Sequence, residues 1–350
     1  MARGAFRVGA IGTGGIFRNT HARGWRSIPN AEIVAVADID AKRAAEVAEE
    51  LGVEQVFTDY ADLVKLDLDA VDVCTPNRVH TPAVLAALKA GKHVICEKPL
   101  AVTTAEVRQM GKLADKRGLT LMTAQHQRWT PAARAIKAWA KSGRLGHVYH
   151  ARVFATRRAA LPARAGFIDA ALSGGGPCMD IGVHALDLCM WLMDFPTPVR
   201  VTGTSKTNFA KGRAIPGAWG DWDRKRFSVE DFAAGFVHFE DGATMTVEAS
   251  WLSHQTEDHD MSCRLYGMKG GVSWPSTEYA RVEGGQFVQG TLTCPERLDK
   301  AHTEEIKAFH KAVTGGKASP VPWTETIKVI AILEAIYESN RTGKEVDVKL

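Results

Sequence analysis

The fold is decided by residues 6–38, which read FRVGAIGTGGIFRNTHARGWRSIPNAEIVAVAD. An apolar run at 6–11 leads into the glycine turn at 12–14, and a second apolar run ends at Asp38. Short apolar runs of this kind are typical of strands that are buried on both faces of a parallel sheet. Glycine between a strand and a helix lets the backbone bend tightly and approach a ligand closely. The stretch therefore predicts a strand–helix–strand unit at the start of a parallel sheet.

Strands and helices alternate up to about residue 124, which predicts the α/β class with a doubly wound parallel sheet. The further strands of this sheet are expected at 70–74, 93–96 and 119–123, with helices at 41–51 and 82–90.

Beyond residue 124 the pattern changes to helices mixed with alternating strands, including a hairpin at Asp241-Gly242. These elements are expected at 131–142, 147–156, 178–193, 232–240, 243–251, 265–267, 271–274, 303–314 and 325–342. We therefore expect a first domain at 1–124, and an α+β domain at 125–350 with a large, mostly antiparallel sheet. The second domain is expected to bind substrate and to support oligomers. The closing helix, at about 325–342, is available to pack back on the first domain.

The composition of the chain excludes several classes of function. The chain has 350 residues, a formal net charge of +4 and six scattered cysteines without a CxxC pair. Isolated cysteines indicate reduced thiols and no metal site. There is no basic stripe of the kind that binds nucleic acid, and no apolar run long enough to cross a membrane. Since the first residues also lack a secretory signal pattern, we expect a cytoplasmic location without nucleic-acid or membrane partners.

The glycine turn predicts a dinucleotide site. A helix that starts after such a turn offers free N–H groups to a pyrophosphate, and an acid at the end of the second strand accepts hydrogen bonds from a ribose. Asp38 stands at that place, so NAD is favoured over NADP, although the neighbouring Lys42 and Arg43 are basic enough to admit a phosphate. Phe17 replaces the third small residue of the usual GxGxxG pattern. Residues 1–124 are accordingly interpreted as a Rossmann domain.

Three further motifs contain chemically capable side chains. They are Thr75-Pro76-Asn77 with His80, Glu97-Lys98-Pro99, and the segment at 174–187, which reads GGGPCMDIGVHALD. The first two follow predicted strands, where open α/β sheets bind their ligands. In the third motif, Asp180 and His184 are four residues apart and share one face of a helix.

Taken together, these motifs resemble the Gfo/Idh/MocA family of oxidoreductases, named for glucose-fructose oxidoreductase and inositol dehydrogenase. The resemblance covers nearly the whole chain and includes the strands with VEDFAA and GATMTVEASW and the closing EAIYESNRTGKEV helix. It implies that Lys98, Asp180 and His184 are the catalytic group. The cofactor-binding residues then expected are Gly12, Gly14, Gly15, Ile16, Asp38, Thr75, Asn77, His80, Glu97, Lys98 and Arg128.

The chemistry of alcohol oxidation suits these assignments. His184 is a suitable base for the hydroxyl proton, and Lys98 can stabilise the developing alkoxide charge. Asp180 can orient the imidazole or hold a neighbouring hydroxyl. For Asp187 we expect a supporting role. Substrate-binding residues are expected to be Lys98, Arg157, Arg164, Asp180 and His184.

Several alternatives stay open. His80 is equally suited to begin the helix near Pro82, and Arg128 to form an interdomain salt bridge. The Trp-rich stretch at 219–224 suits either a carbohydrate surface or a subunit interface.

The sequence thus predicts an NAD(P)-dependent dehydrogenase that acts on a secondary hydroxyl or ketone of a sugar, cyclic polyol or glycoside. The alternatives are an NAD-dependent glycosidase that oxidises C3 transiently, and a non-catalytic protein that senses the cofactor. The resemblance further implies a homodimer or homotetramer.

Overall fold

A computed structural model describes residues 4–212, 214–294 and 298–350. The chain forms two compact units, which interleave along the sequence. The first unit comprises the residues up to Ala101 together with Ala105–His126 and Asp299–Thr326, and the second unit comprises Val102–Thr104, Gln127–Leu298 and Ile327–Leu350. The predicted boundary at residue 124 lies two residues from the crossing after His126. The later return of 299–326 to the first unit is not predicted by the sequence pattern.

The first unit contains a six-stranded sheet in the order β3-β2-β1-β4-β5-β6, in which every pairing is parallel. Its strands are β1 (Phe6–Ile11), β2 (Ala31–Ala37), β3 (Gln55–Phe57), β4 (Ala70–Val73), β5 (His93–Glu97) and β6 (Leu121–Ala124). This is the strand order of the Rossmann fold, and it confirms the predicted doubly wound sheet. The short strand β3 is not among the predicted strands.

The helices of the first unit begin and end at residues that the local sequence determines. They are α1 (Ala22–Arg26), α2 (Ala41–Leu51), α3 (Tyr60–Leu63), α4 (Asn77–Lys89), α5 (Thr104–Arg117) and α10 (Ala301–Thr314). Helix α2 starts after Asp40, whose carboxylate accepts from the Arg43 amide, and ends at Gly52 in the left-handed conformation. Helix α4 begins at Asn77, five residues before the predicted start, because Pro82 lies in its second turn instead of opening it.

The second unit contains a nine-stranded sheet in the order β14-β13-β12-β11-β7-β10-β9-β8-β15. Its strands are β7 (Val148–Arg157), β8 (Pro198–Lys206), β9 (Phe232–Phe239), β10 (Thr244–Ser250), β11 (His259–Gly267), β12 (Gly271–Trp274), β13 (Glu278–Glu283), β14 (Gln286–Thr291) and β15 (Val346–Asp347). All pairings are antiparallel except the parallel pairing of β7 with β10. The predicted, mostly antiparallel sheet is therefore confirmed, while β8, β13, β14 and β15 are additional to the prediction.

The second unit also contains five helical segments. They are α6 (Pro131–Lys141), α7 (Ala165–Ile168), α8 (Ala170–Ser173), α9 (Val183–Leu192) and the part of α11 (Trp323–Thr342) that follows Thr326. Helix α11 lies close to β8 and β9 because both strands carry a glycine beneath Ile336. A Cβ on Gly203 would be 2.9 Å from the Ile336 Cα, and one on Gly235 would be 2.7 Å from its Cγ1. Within the described residues no helix is long and apolar enough to cross a membrane.

Candidate active site

The first unit brings the predicted motifs to one edge of its sheet. Ile11 pairs with Ala37 and Val73, and Val73 pairs with Cys96, so β1, β2, β4 and β5 end at the same level. The residues that follow these strands include Gly12, Asp38, Thr75 and Lys98. Because the carboxyl ends of parallel strands form the ligand edge of an open sheet, this is where a dinucleotide binds in such folds.

The glycine turn has two different physical roles at its two ends. Gly12 has φ +89°, and a Cβ there would lie 2.6 Å from the Cys74 carbonyl oxygen, so only glycine fits against the end of β4. A Cβ on Gly14 would meet no atom within 4 Å, which leaves open space beside the turn. The turn is therefore closely packed at Gly12 and open at Gly14. Gly15 and Ile16 follow it directly, and Ile16 is 37% exposed.

Phe17 explains the departure from the usual glycine pattern. Its side chain is fully buried in a cluster with Ala10, Val36 and Val47, so it belongs to the core between β1, β2 and α2. The chain makes a π-helical turn over Phe17–His21 before α1. π-Turns within helices often occur near functional sites. The helix after the glycine turn is therefore wider at its start than the predicted regular helix.

Asp38 is already fully hydrogen-bonded within the protein. Its carboxylate accepts from the amide and hydroxyl of Thr13 at 2.8 and 3.0 Å, and from the Asp40 amide at 3.0 Å. It also forms a bidentate pair with the Arg43 guanidinium at 2.6 and 3.0 Å. Although burial opposes it, the hydrogen bond from Arg43 and those from the backbone lower the pKa of Asp38. Asp38, the acid expected from the sequence to bind the ribose, is therefore paired with Arg43.

The segment around Lys98 is held by a buried histidine. The Nδ1 atom of His80 lies 2.7 Å from the Pro99 carbonyl oxygen, and its Nε2 atom lies 2.9 Å from the Thr75 carbonyl oxygen. His80 is completely buried, in the first turns of α4, which Asn77 begins. The side chain thus joins the loop after β4 to the loop after β5, a role that the sequence does not suggest.

A second buried histidine is missed by sequence reasoning. The Nδ1 atom of His21 lies 3.0 Å from both carboxylate oxygens of Asp72, and its Nε2 atom lies 3.0 Å from Glu97 Oε1. The indole N–H of Trp25 donates to Asp72 at 2.7 Å, and the Lys98 amide donates to Glu97 Oε2 at 2.9 Å. These contacts form one continuous buried chain, which ends at the Lys98 backbone.

Charge is shared along this chain. Burial opposes ionisation of His21, but the negative charge of Asp72 and its hydrogen bond outweigh burial and raise the pKa of the imidazole well above its ordinary value. Burial likewise opposes ionisation of Glu97, but the hydrogen bond and charge of His21 lower its pKa to about 2. Two carboxylates therefore contact one imidazole and favour its protonated form.

Three side chains of this cluster are of types that can ligate a metal ion. Within the described part of the chain, His21, Asp72 and Cys74 are the only group of three such side chains whose ligand atoms lie within 4.8 Å of one another. The hydrogen bonds to Trp25 and Glu97 already account for these positions.

A further histidine pair and a buried acid lie in the first unit. The rings of His126 and His302 stack with centroids 3.8 Å apart. Burial lowers the pKa of His126 to about 3 and that of His302 to about 4. Glu305 on α10 is fully buried, and within the described residues neither of its carboxyl oxygens makes a well-formed hydrogen bond. Burial, only partly offset by the charge of His21, raises the pKa of Glu305 well above its usual range.

In the second unit, the triple glycine at 174–176 packs against Glu230 and Tyr337. The Glu230 carboxylate accepts from the amides of Gly176 and Cys178 at 2.9 and 3.2 Å, and from the Tyr337 hydroxyl at 2.9 Å. A Cβ on Gly176 would lie 2.0 Å from the Glu230 carbonyl oxygen, and one on Gly175 would lie 2.4 Å from the Tyr337 hydroxyl. The glycines therefore allow close backbone packing just before Asp180.

Asp180 lies in a π-helical turn just before α9, and His184 lies in the first turn of α9. A π-helical turn over Cys178–Gly182 precedes this helix, so the predicted single helix at 178–193 is in two parts. The Trp251 indole donates to the Asp180 carboxylate at 3.1 Å. His184 is buried, with 9% of its surface exposed. Arg157 is close enough to Asp180 to feel its charge, but burial still lowers the pKa of this guanidinium.

The remaining arginines have distinct surroundings. Arg128 and Asp187 form a bidentate pair at 2.7 and 2.8 Å in which both side chains are almost completely buried. This pair lies within the second unit. A supporting role of Asp187 in the active site stays a prediction. The Arg157 guanidinium stacks on Trp219 at 4.7 Å, whereas Arg164 is exposed at the start of α7. Cofactor binding by Arg128 and substrate binding by Arg157 and Arg164 stay predictions.

Comparisons with known proteins agree along the whole chain. Residues 6–125 match an oxidoreductase family with an NAD-binding Rossmann fold, and residues 133–273 match the GFO/IDH/MocA C-terminal domain. The chain is 31% identical to D-glucoside 3-dehydrogenase of Escherichia coli, and the match covers 99% of both chains. It is 27% identical to myo-inositol 2-dehydrogenase of Thermotoga maritima over 90% of both. Among solved structures, levoglucosan dehydrogenase in complex with NADH has a TM-score of 0.84 at 23% identity, with 99% of each chain covered.

The buried Glu305 carboxyl leads to a prediction about stability. Its raised pKa means that the native protein keeps a proton that the unfolded chain releases above about pH 4.3, so this group destabilises the fold increasingly as the pH rises. Glu305→Gln should therefore gain stability relative to the parent between pH 5 and pH 8, by at least about 1 kcal/mol in total. Urea unfolding at several pH values measures this. Glu49→Gln, at an exposed position of α2, is the control, and parallel curves for Glu305→Gln and the parent would contradict the prediction.

Proposed function

The chain belongs to the Gfo/Idh/MocA family of oxidoreductases, and from that premise we propose that it is an NAD(P)-dependent dehydrogenase of sugars, cyclic polyols or glycosides. The observation that carries the proposal is the common sheet edge, where the glycine turn, Asp38 and Lys98 follow neighbouring parallel strands. The open space beside Gly14, in a turn that follows β1, supports a dinucleotide at this edge.

The first unit supplies the groups that would hold the cofactor. Gly12, Gly14, Gly15 and Ile16 would face the pyrophosphate, and Asp38 or Arg43 would face the adenosine ribose. Thr75, Asn77, His80 and Glu97 lie at or near the carboxyl ends of β4 and β5, on the side proposed for the nicotinamide. Of these, His80 and Glu97 act through contacts inside the protein. When bound, the nicotinamide accepts or returns a hydride.

The protein's own side chains manage the proton and the oxygen charge. We assign His184 as the base that takes the hydroxyl proton, since imidazole titrates near neutral pH. Lys98 would hydrogen-bond the same oxygen and stabilise its negative charge. Asp180, held by the Trp251 indole, would orient the imidazole or bind an adjacent hydroxyl.

Cofactor choice depends on Asp38 and Arg43. A carboxylate at the end of β2 accepts from ribose hydroxyls and repels a 2′-phosphate, which favours NAD. Although the Arg43 guanidinium is paired with Asp38, it is 42% exposed, and its exposed N–H groups can bind a phosphate as well. We propose NAD as the preferred cofactor and NADP as a weaker alternative that depends on Arg43.

Trp219 supports a carbohydrate substrate. One face of its ring is covered by the Arg157 guanidinium, and 58% of the residue is exposed. Exposed aromatic rings bind the C–H faces of sugars. Arg157 also interacts electrostatically with Asp180. Trp219, Arg157 and Asp180 therefore belong to one region of the second unit. We propose that this region binds a sugar ring.

Assembly and location are proposed on separate structural grounds. The outer strands of the second sheet leave apolar side chains exposed, with Val282 at 57% and Phe287 at 83%. Such exposure favours a homodimer or homotetramer through this sheet. Among the described cysteines, five are buried and free, and this supports the proposed cytoplasmic location.

Lys98→Met tests the assigned chemistry. Loss of the ammonium should reduce kcat by about 10²-fold or more while the dissociation constant for NAD changes little, because the alkoxide charge loses its partner. NADH absorbance with a panel of sugars and polyols measures turnover, and quenching of tryptophan fluorescence measures binding. Unchanged turnover would remove Lys98 from the mechanism. Release of an aglycone from a glycoside without net NADH would instead identify a redox glycosidase.

The ratio of NAD to NADP efficiency tests the ribose site. Arg43→Ala should reduce kcat/KM for NADP by about tenfold, since a charge-assisted contact to the phosphate is lost, and leave NAD nearly unaffected. Asp38→Asn should shift the ratio toward NADP. If neither substitution moves the ratio, the adenosine ribose does not bind at this pair.

Substitutions of Trp219 test the sugar surface. Trp219→Ala should raise KM for a glycoside or sugar by about three- to tenfold, which corresponds to the usual contribution of one aromatic contact. Trp219→Phe keeps an aromatic face and should keep most of the affinity. Equal KM values for the parent and Trp219→Ala would exclude a role in sugar binding.

A further inference from the structure

We propose that His21 and Asp72 are positioning residues for Lys98, and that they act through Glu97. The inference rests on the proposed function only in the role it gives to Lys98. It concerns two fully buried side chains that are not among the expected substrate-binding or cofactor-binding residues. Their contacts instead fix the backbone from which the Lys98 side chain extends.

A continuous series of hydrogen bonds connects Asp72 to the Lys98 backbone within the first unit. Asp72 binds the Nδ1 side of the His21 ring, and the Nε2 side binds Glu97 Oε1 at 3.0 Å. The other oxygen of Glu97 accepts the amide of Lys98 at 2.9 Å. Both Glu97 oxygens are therefore engaged, and the orientation of this carboxylate depends on His21.

Burial makes this arrangement costly to maintain. His21 and Asp72 have no exposed surface, and Glu97 has 7%. Buried ion pairs seldom stabilise a fold more than apolar side chains of similar size would, because each charge must be desolvated. A cluster that contributes little net stability, but ends at the backbone of an active-site lysine, is best explained by the geometry that it imposes there.

Within the described residues, every side chain that hydrogen-bonds to His21 is buried. Cys74 Sγ lies 3.5 Å from its Nδ1 atom, the ring of His302 lies 6.3 Å away, and the indole of Trp25 shares Asp72 with it. Glu305 from α10 adds a carboxyl within electrostatic reach. The imidazole therefore bridges Asp72 and Glu97 and does not open to solvent.

A second contact holds the other side of Lys98. His80 lies 2.7 Å from the carbonyl oxygen of Pro99, one residue beyond the lysine. The segment Glu97-Lys98-Pro99 is thus fixed on both sides of Lys98, by His21 through Glu97 before it and by His80 after it. Removing either contact frees one side only, so each substitution should displace the lysine without unfolding the sheet.

Substitution of His21 provides the first test. His21→Gln removes the imidazole that bridges Asp72 and Glu97, and Asp72→Asn weakens the same chain at the end remote from Lys98. Both should lower kcat by about 10- to 100-fold, the usual effect of a displacement of about 1 Å in an active site. KM should change much less. His93→Gln is the matched control, because His93 lies on the same strand as Glu97 but accepts from the Thr120 amide at the opposite end.

A readout without turnover separates positioning from the assigned chemistry. Brief acetylation followed by peptide mass spectrometry measures the reactivity of the Lys98 amine relative to the exposed Lys89 of the same protein. In His21→Gln and Asp72→Asn this ratio should rise severalfold, because the lysine is held less firmly, whereas His93→Gln should leave it unchanged. The measurement remains valid even if Lys98→Met shows that Lys98 is not catalytic.

Non-additivity gives the final test. If His21 acts through Lys98, then His21→Gln should reduce the residual turnover of Lys98→Met by less than about twofold. A full additional loss, or an unchanged acetylation ratio in both variants, would overturn the proposal. Thermal unfolding of each variant shows whether it is folded. Should His21→Gln not fold, the same two measurements on Asp72→Asn decide the question.

Discussion

The parallel register of β1, β2, β4 and β5 is the constraint on which the rest of the first unit depends. Because these strands are hydrogen-bonded in parallel, their ends are level, and residues distant in sequence follow them at one edge. The close approach of Gly12 to the Cys74 carbonyl depends on this register, since a side chain at Gly12 would push β1 away from β4. The parallel pairing therefore determines where the site residues of the first unit lie.

Much of this can be predicted because local signals coincide with element ends. Helix α2 has the predicted bounds, since Asp40 caps its start and Gly52 its end. Asp38 and Lys98 are expected at the sheet edge because each follows an apolar run. By contrast, His21 and Asp72 are 51 residues apart, and no spacing rule connects them. The only signal is an acid within the apolar strand 70–74, which needs a buried partner.

The second unit shows a similar limit. The triple glycine is visible in the sequence as a loop before Asp180, but its cause is the approach of Glu230 and Tyr337, which come from distant parts of the chain. Neither π-helical turn is predicted, because a widened turn does not change the spacing of apolar residues enough to be visible in sequence. Short edge strands such as β15 escape prediction for a related reason, since two residues carry no periodicity.

The return of 299–326 to the first unit has a consequence for how the protein is made. Trp25 and Phe309 are fully buried, and their rings meet edge to face with centroids 6.0 Å apart. A Cβ on Gly24 would lie 2.9 Å from Ile306, so α1 and α10 pack tightly. During translation, the core around α1 cannot be completed until α10 has been synthesised, and by then nearly the whole polypeptide has been made. A gene fragment that ends after β6 would therefore yield an incomplete globule with Trp25 uncovered.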